Sequence, residues 1–139
     1  MNGAPPEPRP IAVAEDEIVA EMAGLSDTIA RYKYVVRAGQ ALAVPSAAIR
    51  SEAYSVPGCQ SQVWIRMEVQ DGRVRIEADS DAAITRGIIA LLVRVLDGQT
   101  VEEVRTAELG FLDRTGLRQH LSPSRANGLA AMISAIRGA

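Results

Sequence analysis

Residues 63–78 read VWIRMEVQDGRVRIEA, and this stretch predicts a β-hairpin against which the rest of the chain packs. The dipeptide Asp71-Gly72 is a strong signal for a two-residue turn between antiparallel strands. With those two residues in the loop, apolar side chains face one another and opposite charges meet across the strands. The predicted pairs are Val69–Val74, Met67–Ile76 and Ile65–Ala78 on one face and Glu68–Arg75 and Arg66–Glu77 on the other. A shift by one residue would destroy both patterns, so the register is well determined and one face of the sheet is left wet.

The N-terminal part of the chain predicts a tail followed by a short helix. The opening MNGAPPEPRP has four prolines and no hydrophobic region, so it is not a signal peptide, and we expect residues 1–12 to be a disordered tail. The folded domain is then expected over residues 13–139. A helix is predicted over residues 14–25, because apolar side chains recur there at helical spacing. These side chains are Ile18, Met22 and Leu25.

A second helix is predicted to follow directly. Ser26 is a plausible N-cap, and Asp27 then lies in the first turn, where a negative charge is favourable. Gly39 is expected to interrupt this helix, and Pro45 would end any continuation. Its predicted inward positions include Ile29, Tyr32 and Val36.

The residues after the hairpin predict a central apolar helix. The stretch from Ala82 to Leu96 has few polar side chains, which is typical of a helix packed on a sheet. Ser80 or Asp79 is expected to cap it, with Asp81 in its first turn. Gly98 is placed to end it.

Two further helices and one short strand complete the predicted fold. Thr100 and Glu103 form a capping-box pattern for a short helix, and Ser122-Pro123 is typical of the start of another. Residues 51–56 are expected to add a short third strand. The inward residues of the last helix are predicted to be Leu129, Met132, Ile133 and Ile136. The predicted class is α+β: an antiparallel sheet of about three strands with helices packed mainly on one face.

Composition excludes several classes of function. A chain of 139 residues is a usual length for one domain, and 47% hydrophobic and 23% charged residues are an ordinary globular mixture. A net charge of −2 gives no electrostatic footprint for nucleic acid or an anionic membrane. No apolar run reaches the roughly eighteen residues that would span a bilayer. One cysteine forms neither an internal disulfide nor a metal site by itself, so a cytoplasmic location is expected.

That cysteine, Cys59, is the first candidate for chemistry. It could be a buried cysteine that acts as a small hydrophobe, which is common. A reactive role is favoured by its place in a Pro-Gly-Cys turn outside any apolar period, beside the permissive Gly58. A thiol reacts at sulfur as the thiolate, yet no Lys, Arg or His lies within the five residues that follow, and Arg50 is the nearest cation upstream. Activation would therefore have to come from elsewhere in the fold or from a partner.

The other polar candidates have ordinary structural interpretations beside functional ones. A dyad of the thiol with His120, the only histidine, is conceivable, but a surface histidine in a turn is favoured. Lys33, the only lysine, reads as a solvated helix residue, so no pyridoxal phosphate site of its own and no other cofactor is expected. Helix capping explains Asp79 and Asp81 better than a metal pair does. Arg125 lies in a first helical turn, where a cation is unfavourable, and is either an ordinary surface residue or part of a contact that outweighs this cost.

Four stretches of the sequence carry a family resemblance. They are GCQSQVW at 58–64, RYKYVVRAGQAL at 31–42, DSDAAITRGIIALL at 79–92 and LRQHLSPSRANGLAAMI at 117–133. In this order they resemble the SufE family of sulfur acceptor proteins, including its CsdE type. The resemblance implies an α+β fold similar to that of the IscU scaffolds.

The resemblance also implies a role and a site. A pyridoxal phosphate-dependent cysteine desulfurase, SufS- or CsdA-like, would strip sulfur from free cysteine and hold it as a persulfide. Cys59 would attack the outer sulfur, carry it to an iron–sulfur scaffold complex and stimulate the desulfurase. In this family the cysteine loop tends to tuck its thiol into an apolar pocket. The positions matching the acceptor loop and partner surface are Gly58, Gln60, Ser61, Asp81 and Arg125.

The chemistry agrees with this interpretation. Transfer between persulfide and thiol is an exchange at sulfur, so one thiol suffices, and a second cysteine would resolve the persulfide into a disulfide. An apolar resting pocket would raise the thiol pKa and slow oxidation. Pro57 departs from the family pattern and stiffens the loop. Two alternatives stay open: a non-catalytic allosteric regulator of a desulfurase, and a single-thiol redox sensor.

Overall fold

The predicted hairpin is present in the computed structural model, which describes residues 9–45, 47–59 and 61–138. Strands β1 (Val63–Gln70) and β2 (Arg73–Ser80) pair antiparallel, and all five predicted cross-strand pairs are found in the predicted register. Both turn residues have positive φ, 54° at Asp71 and 77° at Gly72. Such a backbone matches the right-handed twist of the flanking strands, which explains why this dipeptide determines the register.

The described part of the chain contains six α-helices in addition to the hairpin. In chain order they are α1 (Ile11–Ala23), α2 (Thr28–Ala41), α3 (Ala83–Leu96), α4 (Val101–Thr106), α5 (Phe111–Arg114) and α6 (Pro123–Ile136). Short 3₁₀ turns lie at Ala47–Ile49, Glu52–Tyr54 and Arg118–His120. Helix α3 contacts β2, and α6 contacts β1. Their apolar side chains form one core with the inner face of the hairpin, so the predicted α+β class is confirmed.

The predicted third strand over residues 51–56 is absent from the described chain, where the sheet has two strands. Glu52–Tyr54 forms a 3₁₀ turn instead, and only Ser55 makes an isolated bridge, to Trp64. The chain then turns at Pro57-Gly58, so pairing with β1 ends after one residue. The prediction was wrong because a single bridge beside a turn cannot extend into a strand.

Helix α2 presents a different face to the core from the one predicted. Ile29 and Tyr32 are 67% and 54% exposed, whereas Val35 and Gly39 are buried. The cause is a close crossing with α3: a Cβ on Gly39 would lie 2.8 Å from the backbone nitrogen of Gly87. Gly39 therefore does not interrupt the helix but lets two helix backbones approach.

Several helix ends also differ from the predictions. Asp27, not Ser26, is the N-cap of α2, because its Oδ1 accepts the N–H of Ala30 at 2.7 Å. Helix α1 begins at Ile11, inside the segment predicted as a tail, whereas residues 1–8 lie outside the described chain. Ile18 and Met22 are buried as predicted.

The C-terminal helices agree with the sequence patterns. Thr100 and Glu103 form a complete capping box, and Ser122 caps α6 with Pro123 at its first position. The predicted inward residues of α6 are all buried: Leu129, Met132, Ile133 and Ile136. Helix α3 is preceded by Ala82 without a side-chain cap, so the predicted cap by Asp79 or Ser80 was wrong.

Candidate functional site

Cys59 lies in a loop at the open end of the hairpin, opposite the Asp71-Gly72 turn. The base of this loop is closed where the N–H of Val56 donates to the carbonyl of Val63 at 2.9 Å. Gly58 has φ +85°, so a side chain there would be strained even though space is available. The turn that places the thiol therefore requires glycine before it.

The thiol rests against helix α6. Cys59 is half-buried, and its Sγ lies 3.7 Å from the carbonyl oxygen of Gly128. A Cβ built on Gly128 would lie 3.6 Å from that sulfur, an ordinary van der Waals distance, so the thiol lies close over this part of the helix. The narrow cleft has a volume of about 10 Å³, roughly the space one water molecule needs. Its lining residues are Cys59, Ser61, Thr85, Ile88, Ser124, Arg125, Gly128 and Met132.

Burial controls the acidity of this thiol. Desolvation in the cleft raises the pKa of Cys59 above its ordinary value, so the thiolate fraction near neutral pH is smaller than for a free cysteine. His120 is exposed in the Arg118–His120 turn, where its Nδ1 lies 2.6 Å from the carbonyl oxygen of Gly116. It is not among the described residues that line the cleft. The structure therefore does not bring the conceivable Cys59–His120 dyad together.

Asp81 and Ser61 hold the second half of the loop. The N–H of Gln62 donates to Oδ1 of Asp81 at 3.0 Å, and the N–H of Asp81 donates to the carbonyl of Gln62 at 3.3 Å. The Ser61 and Thr85 hydroxyl oxygens lie 3.1 Å apart. Asp81 thus bonds the loop backbone, and Ser61 attaches the loop to α3.

Arg125 lies at the mouth of the cleft, in the first turn of α6. Its backbone N–H donates to the Ser122 cap at 3.3 Å, while its exposed side chain lines the cleft beside Cys59. Burial raises the pKa of the Cys59 thiol in this cleft. Gln60 lies outside the described residues.

The cleft also contains residues that the sequence reasoning did not select. They are Thr85 and Ile88 of α3 and Ser124, Gly128 and Met132 of α6. One signal could have found part of this set: Gly128 lies inside α6, and glycine in a helix interior is costly without a packing reason.

A buried carboxylate, Asp79, pairs with two arginines below the loop, and we refer to Asp79, Arg50 and Arg86 as the Asp79 network. The Asp79 side chain is 7% exposed. Its Oδ2 accepts Nε of Arg50 at 2.9 Å, and its Oδ1 accepts from Arg86. The Arg50 guanidinium also stacks over the ring of Trp64, 4.8 Å from its centroid. Arg86 in turn donates Nε to the carbonyl of Gly39 at 2.9 Å. The network joins the hairpin to α2, α3 and the Ala47–Ile49 turn.

Neither a metal nor a membrane feature is found in the described chain. No group of three or more His, Cys, Asp or Glu side chains could hold a metal ion within residues 9–45, 47–59 and 61–138. Across the same residues, none of the helices is both long and apolar enough to cross a bilayer.

The structure describes a protein of the α+β class with one half-buried thiol at the open end of its hairpin. Comparison with known proteins identifies its family. The sequence profile described as "SufE: Fe-S metabolism associated domain" matches residues 16–139. The chain therefore belongs to the SufE family, which is associated with iron–sulfur metabolism. In fold it is similar to a hypothetical protein from Thermus thermophilus determined in solution, with a TM-score of 0.73 and 21% identity over 90% of this chain and 91% of that one.

Proposed function

We propose that this protein accepts sulfur on Cys59 from a persulfide held by a pyridoxal phosphate-dependent cysteine desulfurase, SufS- or CsdA-like, and passes it to an iron–sulfur scaffold complex. The observation that carries the proposal is a lone thiol packed on Gly128 in a cleft shared with Arg125. Membership of a family associated with iron–sulfur metabolism supports the same pathway. A reduced, unpaired thiol is compatible with the cytoplasm, where we place the protein.

The transfer is an exchange at sulfur that balances without an oxidant. Cys59 loses its proton, and its thiolate attacks the outer sulfur of the donor persulfide. A bond forms between Cys59 Sγ and that sulfur, while the bond between the two donor sulfurs breaks. The donor cysteine leaves as a thiolate and takes up a proton. The sulfane sulfur keeps its oxidation level, and the donor cysteine is reduced to a thiol as Cys59 is oxidised to a persulfide, so the step needs no external oxidant.

The resting geometry favours activation by the partner. Burial raises the pKa of Cys59, so the isolated protein has little thiolate to react with peroxide or other electrophiles. A desulfurase that drew the thiol out of its cleft would restore the ordinary pKa and supply the base. This arrangement argues against a redox sensor, which needs an accessible thiol of low pKa.

The test is intact-mass analysis after incubation with a cysteine desulfurase and free cysteine. We expect native protein to gain the mass of one sulfur atom, which a reductant removes, and Cys59→Ser to gain none. Cys59→Ser should still bind the desulfurase, since the substitution leaves the surrounding surface unchanged, but it should not increase its turnover.

Two outcomes would redirect the proposal. If Cys59→Ser increased turnover as much as native protein does, the allosteric regulator would be the better account. If native protein gained no reducible sulfur from a desulfurase that forms its own persulfide, the acceptor role would be abandoned.

A further inference from the structure

We propose that Asp79 is a positioning residue for Cys59: through its ion pairs and its two following residues it holds the cysteine loop against α3 and α6. The inference rests on the proposed acceptor role of Cys59 and concerns how the thiol is kept in its cleft until a donor arrives. It assigns the Asp79 network a role in the site, rather than in stability alone.

The first link runs from Asp79 along β2 into the loop. Oδ1 of Asp79 accepts the N–H of Ser80 at 2.9 Å, and the Ser80 hydroxyl donates to the carbonyl of Gln62 at 2.8 Å. Asp81, the next residue, accepts the N–H of Gln62. Both backbone groups of Gln62 are therefore held by the two residues that follow Asp79. Gln62 itself is exposed, so water would compete for these bonds if the turn loosened.

The second link runs through α3. Arg86 pairs with Asp79 and follows Thr85, whose hydroxyl meets Ser61 in the loop. Because α3 has no side-chain cap at its N-terminus, this ion pair fixes its first turn relative to β2. Release of Arg86 would let Thr85 move away from Ser61.

The third link reaches the other side of the loop. Arg50 pairs with Asp79 and stacks on Trp64, and Trp64 forms the bridge to Ser55. The residue after this bridge, Val56, closes the loop base. The carboxylate of Asp79 thus connects to both ends of the segment that carries the thiol.

A purely structural role makes a different prediction. If the Asp79 network only stabilised the fold, weakening it would expose Cys59 only through unfolding of the whole protein. If it positions the loop, the thiol becomes accessible while the core stays folded. The two roles are distinguished by measuring both the rate of thiol modification and the melting temperature of each variant. Because the chain has one cysteine, all modification is assigned to Cys59.

The experiment measures alkylation of Cys59 by iodoacetamide in the isolated, folded protein, without a desulfurase. The variants are Asp79→Asn, which keeps the shape of the side chain and removes its charge, and Glu21→Gln, which weakens an ion pair between α1 and α3. Loss of one charge-assisted hydrogen bond corresponds to about a tenfold change in an opening equilibrium, so we expect Asp79→Asn to react about tenfold faster than native protein. Glu21→Gln should react within about twofold of native.

Two additional readouts identify the loop as the part that moves. The pH profile of alkylation should shift toward the pKa of an ordinary cysteine in Asp79→Asn, because the opened thiol is hydrated. Amide hydrogen exchange should accelerate at Ser61 and Gln62 but not in α6. Where Asp79→Asn does not fold, Arg50→Gln serves instead, since the Arg50 side chain is 53% exposed and Arg86 still pairs with Asp79.

The inference is overturned if the folded Asp79→Asn or Arg50→Gln protein alkylates within about twofold of native. It is also overturned if Glu21→Gln, brought to the same distance below its melting temperature, reacts as fast. Failure of the acceptor role would be seen differently, as native protein that gains no sulfur in the mass experiment. The alkylation result needs no donor, so the two failures are distinguishable.

Discussion

Two carboxylate–arginine groups in this molecule use the same chemistry in different surroundings. In one, Glu21 of α1 accepts both terminal nitrogens of Arg94 from α3, at 2.9 and 2.8 Å, and the hydroxyl of Tyr34 from α2 at 2.7 Å. The other is the Asp79 network. The Glu21 side chain is 45% exposed and that of Asp79 is 7% exposed. The Asp79 carboxylate is thus shielded from water, whereas the Glu21 carboxylate is open to it, so water screens the Glu21 ion pair more strongly.

The two groups also differ in their position relative to the thiol. Arg94 lowers the pKa of Glu21 to about 2, and burial together with the hydrogen bond to Glu21 raises the pKa of Tyr34 to about 12. The hydrogen bonds that cause these shifts join α1, α2 and α3, at positions far from the thiol in sequence. Asp79 instead lies next to the residues that hold the loop of Cys59. A change in the first group should alter stability alone, and a change in the second should alter both stability and the site.

The largest expected effect is the loss of the buried charge. Asp79→Asn weakens the ion pairs with Arg86 and Arg50, whose side chains are 22% and 53% exposed, and two charge-assisted hydrogen bonds at about 1.5 kcal/mol each correspond to about 3 kcal/mol of unfolding free energy. Urea denaturation followed by circular dichroism measures this loss. The control Glu21→Gln should lose no more than about 1 kcal/mol, because exposed pairs are screened by water. Equal losses in the two variants would remove the distinction between the two groups.

A smaller effect is expected where the Asp79 network meets α2. A Cβ on Gly39 would lie 2.8 Å from the backbone of Gly87, so Gly39→Ala must push α2 from α3 and lengthen the bond from Arg86 to the Gly39 carbonyl. We expect a loss of about 2 kcal/mol, typical of overpacking. The matched control is Gly24→Ala beside α1, where nothing lies within 4 Å of the added atom. That variant should stay within about 0.5 kcal/mol of native. Tolerance of both substitutions would mean that the helix crossing is not rigid.

The smallest effect concerns pH and the Glu21 group. Because the folded-state pKa of Glu21 is lowered from 4.5 to about 2, its contribution is present above pH 4.5 and is lost as the pH falls toward 2. Its partial exposure limits this contribution to about 1 kcal/mol or less. The difference in unfolding free energy between native protein and Glu21→Gln should therefore shrink between these pH values. A difference that stayed constant down to pH 2 would show that Arg94 does not hold this carboxylate charged.

The features predicted well from sequence are those determined by neighbouring residues. The register of the hairpin follows from Asp71-Gly72 and the alternation around it, and the capping box at Thr100 needs only Glu103. The inward face of α6 follows from its apolar spacing because nothing interrupts that face. In each case the residues that determine the local structure lie close together in the sequence.

The features predicted poorly depend on partners distant in the chain. The face of α2 is decided by its crossing with Gly87, which no local pattern in that helix shows. Asp79 was interpreted as a helix cap, since Arg50 lies 29 residues before it and its stacking on Trp64 is tertiary. Cys59 was selected from its own turn, but the surface that buries it comes from Gly128, 69 residues later. The candidate thiol was thus found from sequence, and its cleft was not.

For the proposed transfer, the hydrogen bond between Val56 and Val63 limits how deep a donor sulfur can lie in its enzyme. Both ends of the stretch 57–62 are anchored by this bond, so Cys59 is attached to the hairpin by a few residues on either side. An extended backbone advances about 3.4 Å per residue, which gives the thiol a reach of roughly 10 Å. A persulfide that lay farther than this below the surface of its enzyme would be out of reach, unless the end of the hairpin also entered the enzyme. The short loop therefore limits how deep the active site of a donor enzyme can be if its persulfide is to reach Cys59.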